Sequence, residues 1–416
     1  MPHLLSPTPR SLARIVALAT AAIMALGACA GDRTSAAGDR PQLTTGQDRP
    51  DGDLTDAGDA SGSAADTTAP STTEPRSPLG SGQTVTIAFA GDASFEGLTD
   101  RLLTNPTGLL SAVSPLLSAA DVTMVNLEAA LGIAGSPEAK AFNFRVPAEA
   151  LVALDSAGVD VVTMANNHGM DYGPEGLQES LRIRVDTGFP ILGIGQDDDE
   201  AYEPWIIEVK GQRIGFIAAN DIFDAHLVTR WSAAPGHPGV ASTEEPFQEQ
   251  FAERVRATRP DVDTLVVYLH FGTETQTCPN ARQTELVDLL TDAGADIVVG
   301  SHTHRLQGMG YRGDRFVAYG LSNFVFNAPS APGRRSGVLT VSATGRRVDG
   351  YEWDPVSIQN RLPVPLTGAA ADAERQAMDD LQACTGLSST PDRAPDPATG
   401  RAPDEPDQPD EADREG

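Results

Sequence analysis

Five short apolar segments, each ending at a cluster of polar residues, constrain the fold of this 416-residue chain more than any other feature. They are rich in β-branched residues and do not alternate cleanly with polar ones, which is typical of strands buried on both faces. Amphipathic segments separate them, and turns at Gly211 and Gly313 predict two hairpins. The predicted strands lie at 84–90, 122–126, 159–165, 264–269 and 297–299, and the predicted helices at 108–117, 147–157, 176–187 and 281–293. This alternation predicts an α/β fold.

The polar clusters at the strand ends contain the residue types that carry chemistry. In an open α/β sheet the carboxyl ends of the strands meet at one edge, where ligands bind. Four of the seven histidines fall at these ends. The residues expected to face this common crevice are Asp92, Glu128, Asn167, His168, His270, His302 and His304. Any one of them could instead cap a helix or support the core, so it is their joint placement that indicates a site.

This residue set predicts a pair of divalent metal ions. Carboxylates, an amide oxygen and imidazoles are ligands that suit Mn, Fe, Zn or Mg. His302 and His304 can both point inward only if their loop turns sharply, and each could then serve a different ion. Glu128 is the natural candidate for a carboxylate that bridges two ions about 3.5–4 Å apart. His168, next to the amide of Asn167, would be placed to protonate a leaving group.

Six ordered motifs at these positions resemble a known family. They are Gly91-Asp92, Asn126-Leu127-Glu128, Ala165-Asn166-Asn167-His168, His270-Phe271-Gly272-Thr273-Glu274, Gly300-Ser301-His302-Thr303-His304 and Tyr319-Gly320-Leu321-Ser322-Asn323-Phe324-Val325-Phe326. In this order they resemble the CapA proteins, which are capsule or poly-γ-glutamate synthesis proteins and a branch of the calcineurin-like metallophosphoesterases. The resemblance spans residues 85–327. It implies a four-layer α/β/β/α sandwich of the metallophosphoesterase type, with a binuclear site at the strand ends.

The resemblance also implies a role for each site residue. Asp92 and His304 would bind the first ion, and Glu128 would bridge the pair. Asn167, His270 and His302 would bind the second ion, with His168 as the catalytic acid. Metallophosphoesterases usually carry Asp-x-His at the first motif, whereas Asp92-Ala93-Ser94 has no imidazole, and the bridging residue is Glu where Asp is usual. Both departures are similar to CapA sequences in general, and they weaken the expected hold on the first ion.

Three further residues are candidates around this centre. Glu274 could supply the missing ligand, or it could orient His270 without contacting the metal itself. We favour the second role. Arg145 is a candidate substrate-binding residue, because a guanidinium recognises a carboxylate or phosphate bidentately, although a surface ion pair is an equal alternative. Asn323 is a second candidate substrate-binding residue that could hydrogen-bond the metal ligands or simply close the sheet.

The N-terminal sequence predicts export and lipid anchoring. Arg10 and Arg14 precede an apolar run over 15–26, which then continues into Leu26-Gly27-Ala28-Cys29. A basic segment, a short apolar segment and small residues at the exit form a secretory signal. The exit resembles the bacterial lipobox, in which the cysteine is diacylated, and a chance cysteine after an ordinary signal is the alternative. We expect an exported, extracytoplasmic protein anchored to the cell membrane through Cys29.

Composition divides the whole chain into four parts. After a signal peptide over 1–28, residues 29–82 contain almost nothing apolar and are expected to form a disordered tether. A CapA-like domain is expected over 83–386, and the Asp-, Glu- and Pro-rich residues 387–416 are expected to form a disordered acidic tail. The net charge of −28 argues against nucleic-acid binding, which needs clustered basic residues.

The other two of the three cysteines predict a disulfide. An exported protein meets an oxidising environment, in which paired cysteines tend to form disulfides. With Cys29 used for lipid, one pairing is left, Cys278 with Cys384. The alternative is two unrelated thiols that lie far apart.

Three classes of function remain open. The protein could be a metal-dependent hydrolase or transferase that acts on a phosphoester or on the isopeptide backbone of poly-γ-glutamate. It could be a non-catalytic accessory subunit that holds an anionic polymer for a membrane ligase complex, or a solute-binding or adhesion lipoprotein. The ligand set disfavours the last class, and the chain has no Gly-x-x-x-x-Gly-Lys-Ser/Thr loop, so synthesis would need a partner that supplies energy. We expect a role in capsule or poly-γ-glutamate synthesis or processing, with metal-dependent hydrolysis as its mechanism.

The anchor can be tested on Cys29. Replacing it (Cys29→Ala) removes the thiol that would be acylated, so the protein should move from the washed membrane fraction to the soluble fraction. Immunoblotting of both fractions measures this shift. A variant that stays with the membrane after detergent-free washing contradicts the prediction.

Overall fold

A computed structural model describes residues 79–392 of the chain, and within them strands and helices alternate as the apolar pattern predicts. The strands are β1 (Val85–Ala93), β2 (Val122–Leu127), β3 (Ala130–Leu131), β4 (Arg145–Val146), β5 (Val161–Thr163), β6 (Ile191–Leu192), β7 (Ile194–Gly195), β8 (Trp205–Val209), β9 (Gln212–Asn220), β10 (Gly239–Val240), β11 (Thr264–Phe271), β12 (Ile297–His302), β13 (Leu306–Arg312), β14 (Arg315–Leu321), β15 (Asn323–Val325), β16 (Arg335–Thr344), β17 (Arg347–Gln359) and β18 (Leu362–Pro365). The helices are α1 (Thr99–Thr104), α2 (Ser114–Leu117), α3 (Glu149–Ala157), α4 (Gly173–Thr187), α5 (Asp198–Ala201), α6 (Val228–Trp231), α7 (Gln248–Thr258), α8 (Ala281–Ala293) and α9 (Gly368–Asp379). Short 3₁₀ turns cover Arg259–Asp261, Pro332–Arg334 and Asp380–Cys384.

Two large sheets organise these elements. The first has the strand order β18-β17-β16-β1-β2-β5-β6, with β15 also paired to β1. The second has the order β13-β14-β12-β11-β9-β8. Their central strands run parallel and are buried on both faces. This arrangement explains why the sequence of these strands lacks a polar alternation.

The two sheets face each other, and helices cover both outer faces. The hydroxyl of Tyr268 on β11 donates to the carbonyl of Ala90 on β1 at 3.1 Å, a direct link between the sheets. The side chains of Val267 and Leu269 point the other way, into a separate core shared with α7 and α8. Leu154 of α3 and Leu177 of α4 belong to the core of the first sheet. The predicted α/β/β/α sandwich is therefore confirmed.

Helix boundaries follow from local chemistry. Helix α8 occupies the predicted residues because Asn280 and Gln283 form a capping box at its start and Gly294, at φ 118°, ends it. The helix predicted over 108–117 is wrong in its first half, since α2 begins only at Ser114. Pro115 is tolerated in a first helical turn but not in a helix interior, which explains the late start.

Gly91 permits a close crossing next to the strand ends. A Cβ atom at this position would stand 1.9 Å from the carbonyl oxygen of Ser322. That carbonyl accepts a hydrogen bond from the backbone N–H of Asp92 at 2.9 Å. The connection after β14 thus lies directly on β1, and only glycine leaves room for it.

The expected boundaries of the folded part remain predictions. The signal peptide, Cys29 and the tether as far as residue 78 lie outside the described residues, as does the chain beyond 392. The described chain continues past 386, where Tyr311 and Ser388 exchange backbone hydrogen bonds of 2.7 and 2.8 Å. Among the described residues, no helix combines the length and apolar character needed to cross a membrane.

The structure joins Cys278 to Cys384. The Cα atoms of the two residues lie 5.7 Å apart, within the range for a disulfide. Cys278 lies in the loop after His270, and Gln307 donates to its carbonyl at 3.1 Å. The bond therefore ties the chain after α9 to the loop that leaves β11.

The disulfide should contribute measurably to stability. It closes a loop with a sequence separation of 106 residues. Replacing both cysteines (Cys278→Ser with Cys384→Ser) should therefore lower the free energy of unfolding by about 2–5 kcal/mol. Denaturant unfolding of the two proteins, with and without reductant, measures the difference. Reductant should destabilise only the unsubstituted protein, and equal stability of the two would contradict the prediction.

Candidate metal centre

Strands from both sheets deliver polar side chains to one edge of the sandwich. Asp92 lies near the end of β1, and Glu128 follows β2 directly. Asn167 follows β5, His270 is the last residue but one of β11, and His302 ends the neighbouring strand β12. These are the carboxyl ends of parallel strands, so the predicted crevice is where the structure places these residues.

The first group of possible ligands surrounds His270. Its Nε2 atom lies 2.9 Å from Asn167 Oδ1, 3.1 Å from His302 Nδ1 and 3.5 Å from Glu128 Oε1. Donor atoms of Glu128, His270 and His302 all lie within 4.8 Å of one another. Four atoms with lone pairs thus converge at one place, which is the arrangement that a cation requires.

A second group shares one residue with the first. Donor atoms of Asp92, Glu128 and His304 also lie within 4.8 Å of one another. Asp92 Oδ2 and His304 Nδ1 are 3.4 Å apart. Glu128 belongs to both groups, as expected for a bridging carboxylate. The second group has only three residues, because the sequence has no histidine two residues after Asp92.

The burial of Glu128 fits a cation. The residue is fully buried, and neither carboxylate oxygen has a hydrogen-bond partner among the described residues. Burial and the negative charge of Asp92 raise the pKa of Glu128 well above its usual value. Burial would also raise the pKa of Asp92, but the neighbouring imidazoles of His304 and His270 lower it to about 2. A divalent cation would offset the cost of burying the carboxylate of Glu128 beside that of Asp92.

The backbone turns sharply at the two histidines of the last motif. His302 has φ 92° and His304 has φ 51°, both in the left-handed region that non-glycine residues seldom adopt. This conformation is the sharp turn that an i, i+2 pair needs to direct both rings inward. Strain of this kind concentrates at functional sites.

Polar side chains that sequence reasoning missed hold the ligands in place. His270 Nδ1 lies 3.0 Å from Ser301 Oγ and 3.2 Å from Asn126 Nδ2. Asn126 also donates to Asp92 Oδ1 at 2.8 Å, and Asn166 donates to Asn126 Oδ1 at 2.9 Å. Asn126, Asn166 and Ser301 all stand inside the motifs, so their adjacency to the ligands was the available signal.

His168 lies beside the ligands rather than among them. Its Nδ1 atom is 2.5 Å from Asp171 Oδ2, and its Nε2 atom is 3.9 Å from Glu128 Oε1. Burial lowers the pKa of His168 to about 4, so the ring is neutral at pH 7. Because the carboxylate of Asp171 fixes the proton on Nδ1, the Nε2 atom that faces the centre is free to accept a proton.

Lys140 was not predicted, yet it is buried beside this histidine. Its ammonium lies 2.8 Å from Asp171 Oδ1, donates to the carbonyl of Asn167, and stands 5.1 Å from the ring centroid of Trp231. Its side chain is 7% exposed. Lys140 lies in a loop, away from any strand end, and its rarity was the available signal: the only other lysine in the chain is Lys210.

The remaining candidates lie around the centre. Glu274 is exposed, and Ser301 and Asn126 occupy the hydrogen-bonding positions on His270 that it was expected to take. Asn323 pairs with Asp92 in register and donates to the carbonyl of Gly333 at 2.9 Å. Its buried Oδ1 has no hydrogen-bond partner among the described residues. Arg145 is exposed and borders a cavity that is described below.

Comparisons with known proteins match the part of the chain that carries this centre. The family model described as "Bacterial capsule synthesis protein PGA_cap" matches residues 86–328. The capsule biosynthesis protein CapA of Bacillus anthracis is 28% identical over 222 residues, which cover 53% of this chain and 53% of that protein. The PGA biosynthesis protein CapA of Bacillus subtilis (strain 168) is 26% identical over 288 residues, 68% of this chain and 74% of that protein. The chain therefore spans about half to three quarters of the length of these relatives.

One solved structure in the comparison is a putative 5'-nucleotidase from Staphylococcus aureus in complex with α-ketoglutarate. It is 18% identical to this chain, with a TM-score of 0.40. The match covers 71% of this chain and 58% of the chain in that structure.

Because Glu128 belongs to both ligand groups and His168 to neither, replacing them should affect the metal content differently. Glu128→Gln removes the one carboxylate common to both groups, so the purified protein should lose most of its bound divalent metal. His168→Ala should keep its metal, because Asp171 holds that ring outside both groups. Elemental analysis by mass spectrometry gives the metal per protein chain. Equal loss in the two variants would contradict the assignment, and loss of metal should also lower the melting temperature.

Proposed function

Because the chain belongs to the bacterial capsule synthesis protein family PGA_cap, we propose that it acts in the synthesis or processing of an extracellular polymer, with poly-γ-glutamate as the first candidate. The names of the two Bacillus relatives support this proposal, since they refer to capsule and PGA biosynthesis. Polymer, partner and reaction are proposals for this chain, which aligns with 53% of the first relative.

The buried carboxylate of Glu128 between two ligand groups is the observation that carries a metal-dependent role. Asn167, His270 and His302 would hold one divalent ion, and Asp92 and His304 would hold a second, with Glu128 common to both. Mn, Fe, Zn and Mg all suit this donor set. When bound, such ions polarise a carbonyl or phosphoryl oxygen and favour attack by water.

The neutral ring of His168 would transfer the proton that moves during hydrolysis. Asp171 fixes its orientation, and Nε2 faces the centre, where it can take a proton and later return it to a leaving group. Phe144 packs on this ring with centroids 4.2 Å apart, which limits the access of bulk water from that side. These contacts support hydrolysis of an amide or phosphoester bond.

A non-catalytic role is the second candidate, and the small second ligand group favours it. Ser94 stands where the Asp-x-His pattern has an imidazole, and its hydroxyl accepts from the backbone N–H of Glu96 at 3.4 Å. Asp92 and His304 would then hold an ion only with the help of Glu128. A centre with a single well-held ion could bind an anionic polymer for a membrane ligase complex without cleaving it.

We also propose that the domain works outside the cytoplasm on a lipid anchor at Cys29. The basic residues, the apolar run and the small residues before Cys29 support this location. The long polar segment that follows would let the domain reach polymer emerging at the membrane surface.

Incubation with defined substrates tests the catalytic form of the proposal. The purified protein with Mn²⁺ should shorten poly-γ-glutamate and release new amine ends, measured by gel filtration and amine labelling. His168→Ala should keep its metal and lose roughly 100-fold or more in rate, as expected for a proton-transfer residue. A phosphodiester substrate run in parallel distinguishes the two hydrolase activities.

The outcomes separate the candidates. Retained metal and polymer binding without cleavage of either substrate would reject hydrolysis and favour the accessory role. A protein that binds neither metal nor polymer would overturn the proposal as a whole.

A further inference from the structure

A cavity of about 380 Å³ borders the metal centre and has no role in the function proposed so far. Phe144 forms part of its wall and also packs on the ring of His168. Tyr172, another wall residue, directly follows Asp171, the hydrogen-bond partner of His168. A molecule in this cavity would therefore lie one side chain away from the proton-transfer residue.

Arg145 is the only cation among the residues that line this cavity, and Glu96 is the only carboxylate. Its guanidinium carbon stands 4.1 Å from the ring centroid of Tyr172, and one terminal nitrogen donates to the carbonyl of Ile133 at 2.9 Å. These two contacts hold the guanidinium in place although the side chain is exposed. A guanidinium that is already ordered loses less entropy when it binds a carboxylate through two hydrogen bonds.

A second guanidinium, that of Arg361, packs against a wall residue of the cavity. Arg361 is in the turn between β17 and β18, and a Cβ atom at Gly97 would stand 3.1 Å from its Nε atom. Gly97 lines the cavity, so the Arg361 guanidinium lies against the wall. Among the described residues, neither Arg145 nor Arg361 forms an ion pair. In a chain with 58 acidic and 30 basic residues, two arginines without a carboxylate partner at one cavity indicate an anionic ligand.

The rest of the wall specifies the kind of anion. Asn143 donates to the carbonyl of Glu138 at 3.1 Å, but its buried Oδ1 has no hydrogen-bond partner among the described residues and needs an N–H donor. Leu103 and Ile133 line the cavity and are 56% and 77% exposed. The matching ligand has carboxylates, amide N–H groups and methylene groups. A phosphodiester chain offers no N–H donor for Asn143.

We infer that this cavity is a subsite for a carboxylate-bearing polyamide chain, with Arg145 and Arg361 on successive carboxylates and Asn143 on a backbone N–H. This inference rests on the proposed function in taking a polymer as the substrate. It adds the position of the bound polymer, which would be separated from His168 by the ring of Phe144. The subsite consists of the wall residues Asn143, Phe144, Arg145 and Tyr172, together with Arg361, which packs against the wall at Gly97.

Binding measured apart from catalysis tests the subsite. The full-length protein is titrated into a fluorescein-labelled γ-glutamyl oligomer, and anisotropy gives the Kd with and without a metal chelator. Arg145→Ala and Arg361→Ala should each raise the Kd about tenfold, the loss of a charge-assisted contact. The matched control is Arg347→Ala, because Arg347 pairs with Asp349 beside the hairpin at the opposite end of the first sheet.

The expected result is weaker binding in the two arginine variants, an unchanged Kd in Arg347→Ala, and little effect of the chelator. A γ-glutamyl oligomer whose free α-carboxylates are amidated, and a polyphosphate of similar length, should both compete poorly. Unchanged Kd values in Arg145→Ala and Arg361→Ala, equal competition by polyphosphate, or no binding after chelation would each overturn the subsite. The metal content and cleavage activity of the same preparations report on the proposed function separately.

Discussion

The burial of Glu128 at the meeting point of two facing sheets is the interaction on which the rest of the centre depends. A carboxylate with no hydrogen-bond partner nearby is expensive to remove from water, and Asp92 adds a second negative charge beside it. The surrounding imidazoles of His270 and His302 are themselves too buried to carry compensating charge, since burial lowers the pKa of both. His304 differs: burial lowers its pKa, but the carboxylates of Glu128 and Asp92 raise it to about 9, so it offers one positive charge against two carboxylates. A divalent cation would supply the remaining charge, and folding at this edge would then be coupled to metal binding.

A single carboxylate, that of Asp171, connects the centre to the neighbouring cavity. One oxygen receives the ammonium of Lys140 at 2.8 Å, and the other receives His168 Nδ1 at 2.5 Å and the backbone N–H of Phe144 at 2.6 Å. The backbone carbonyl of Asp171 also accepts from the N–H of Glu138 at 2.8 Å. The orientation of His168 and the position of the cavity wall are thus set by the same side chain. A ligand that shifts Phe144 would act on His168 through Asp171.

The strand ends could be predicted from the sequence because each ligand is adjacent to a buried strand, and buried parallel strands leave a clear apolar pattern. The ligands from β1, β2, β5, β11 and β12 all follow this logic, and the motif order resembles a family with a known architecture. Lys140 could not be predicted in the same way, since it reaches Asp171, 31 residues away, from a loop without periodicity. The partners of His270 were also misassigned: Glu274 is close in sequence, but the chain turns at Gly272, φ 102°, and leaves it in solvent.

The net negative charge of the protein repels the anionic polymer proposed to bind in its cavity. This repulsion and the attraction to the cavity act over different distances. A chain with a net charge of −28 repels a polyanion at long range. At physiological ionic strength that repulsion is screened beyond about 8 Å, whereas hydrogen-bonded contacts to Arg145 and Arg361 act at shorter range. Attraction is then confined to places where guanidinium groups lack carboxylate partners, and the rest of the acidic surface keeps the polymer away. The net negative charge would thus favour local and reversible contact at the cavity, from which a bound anionic chain could also be released.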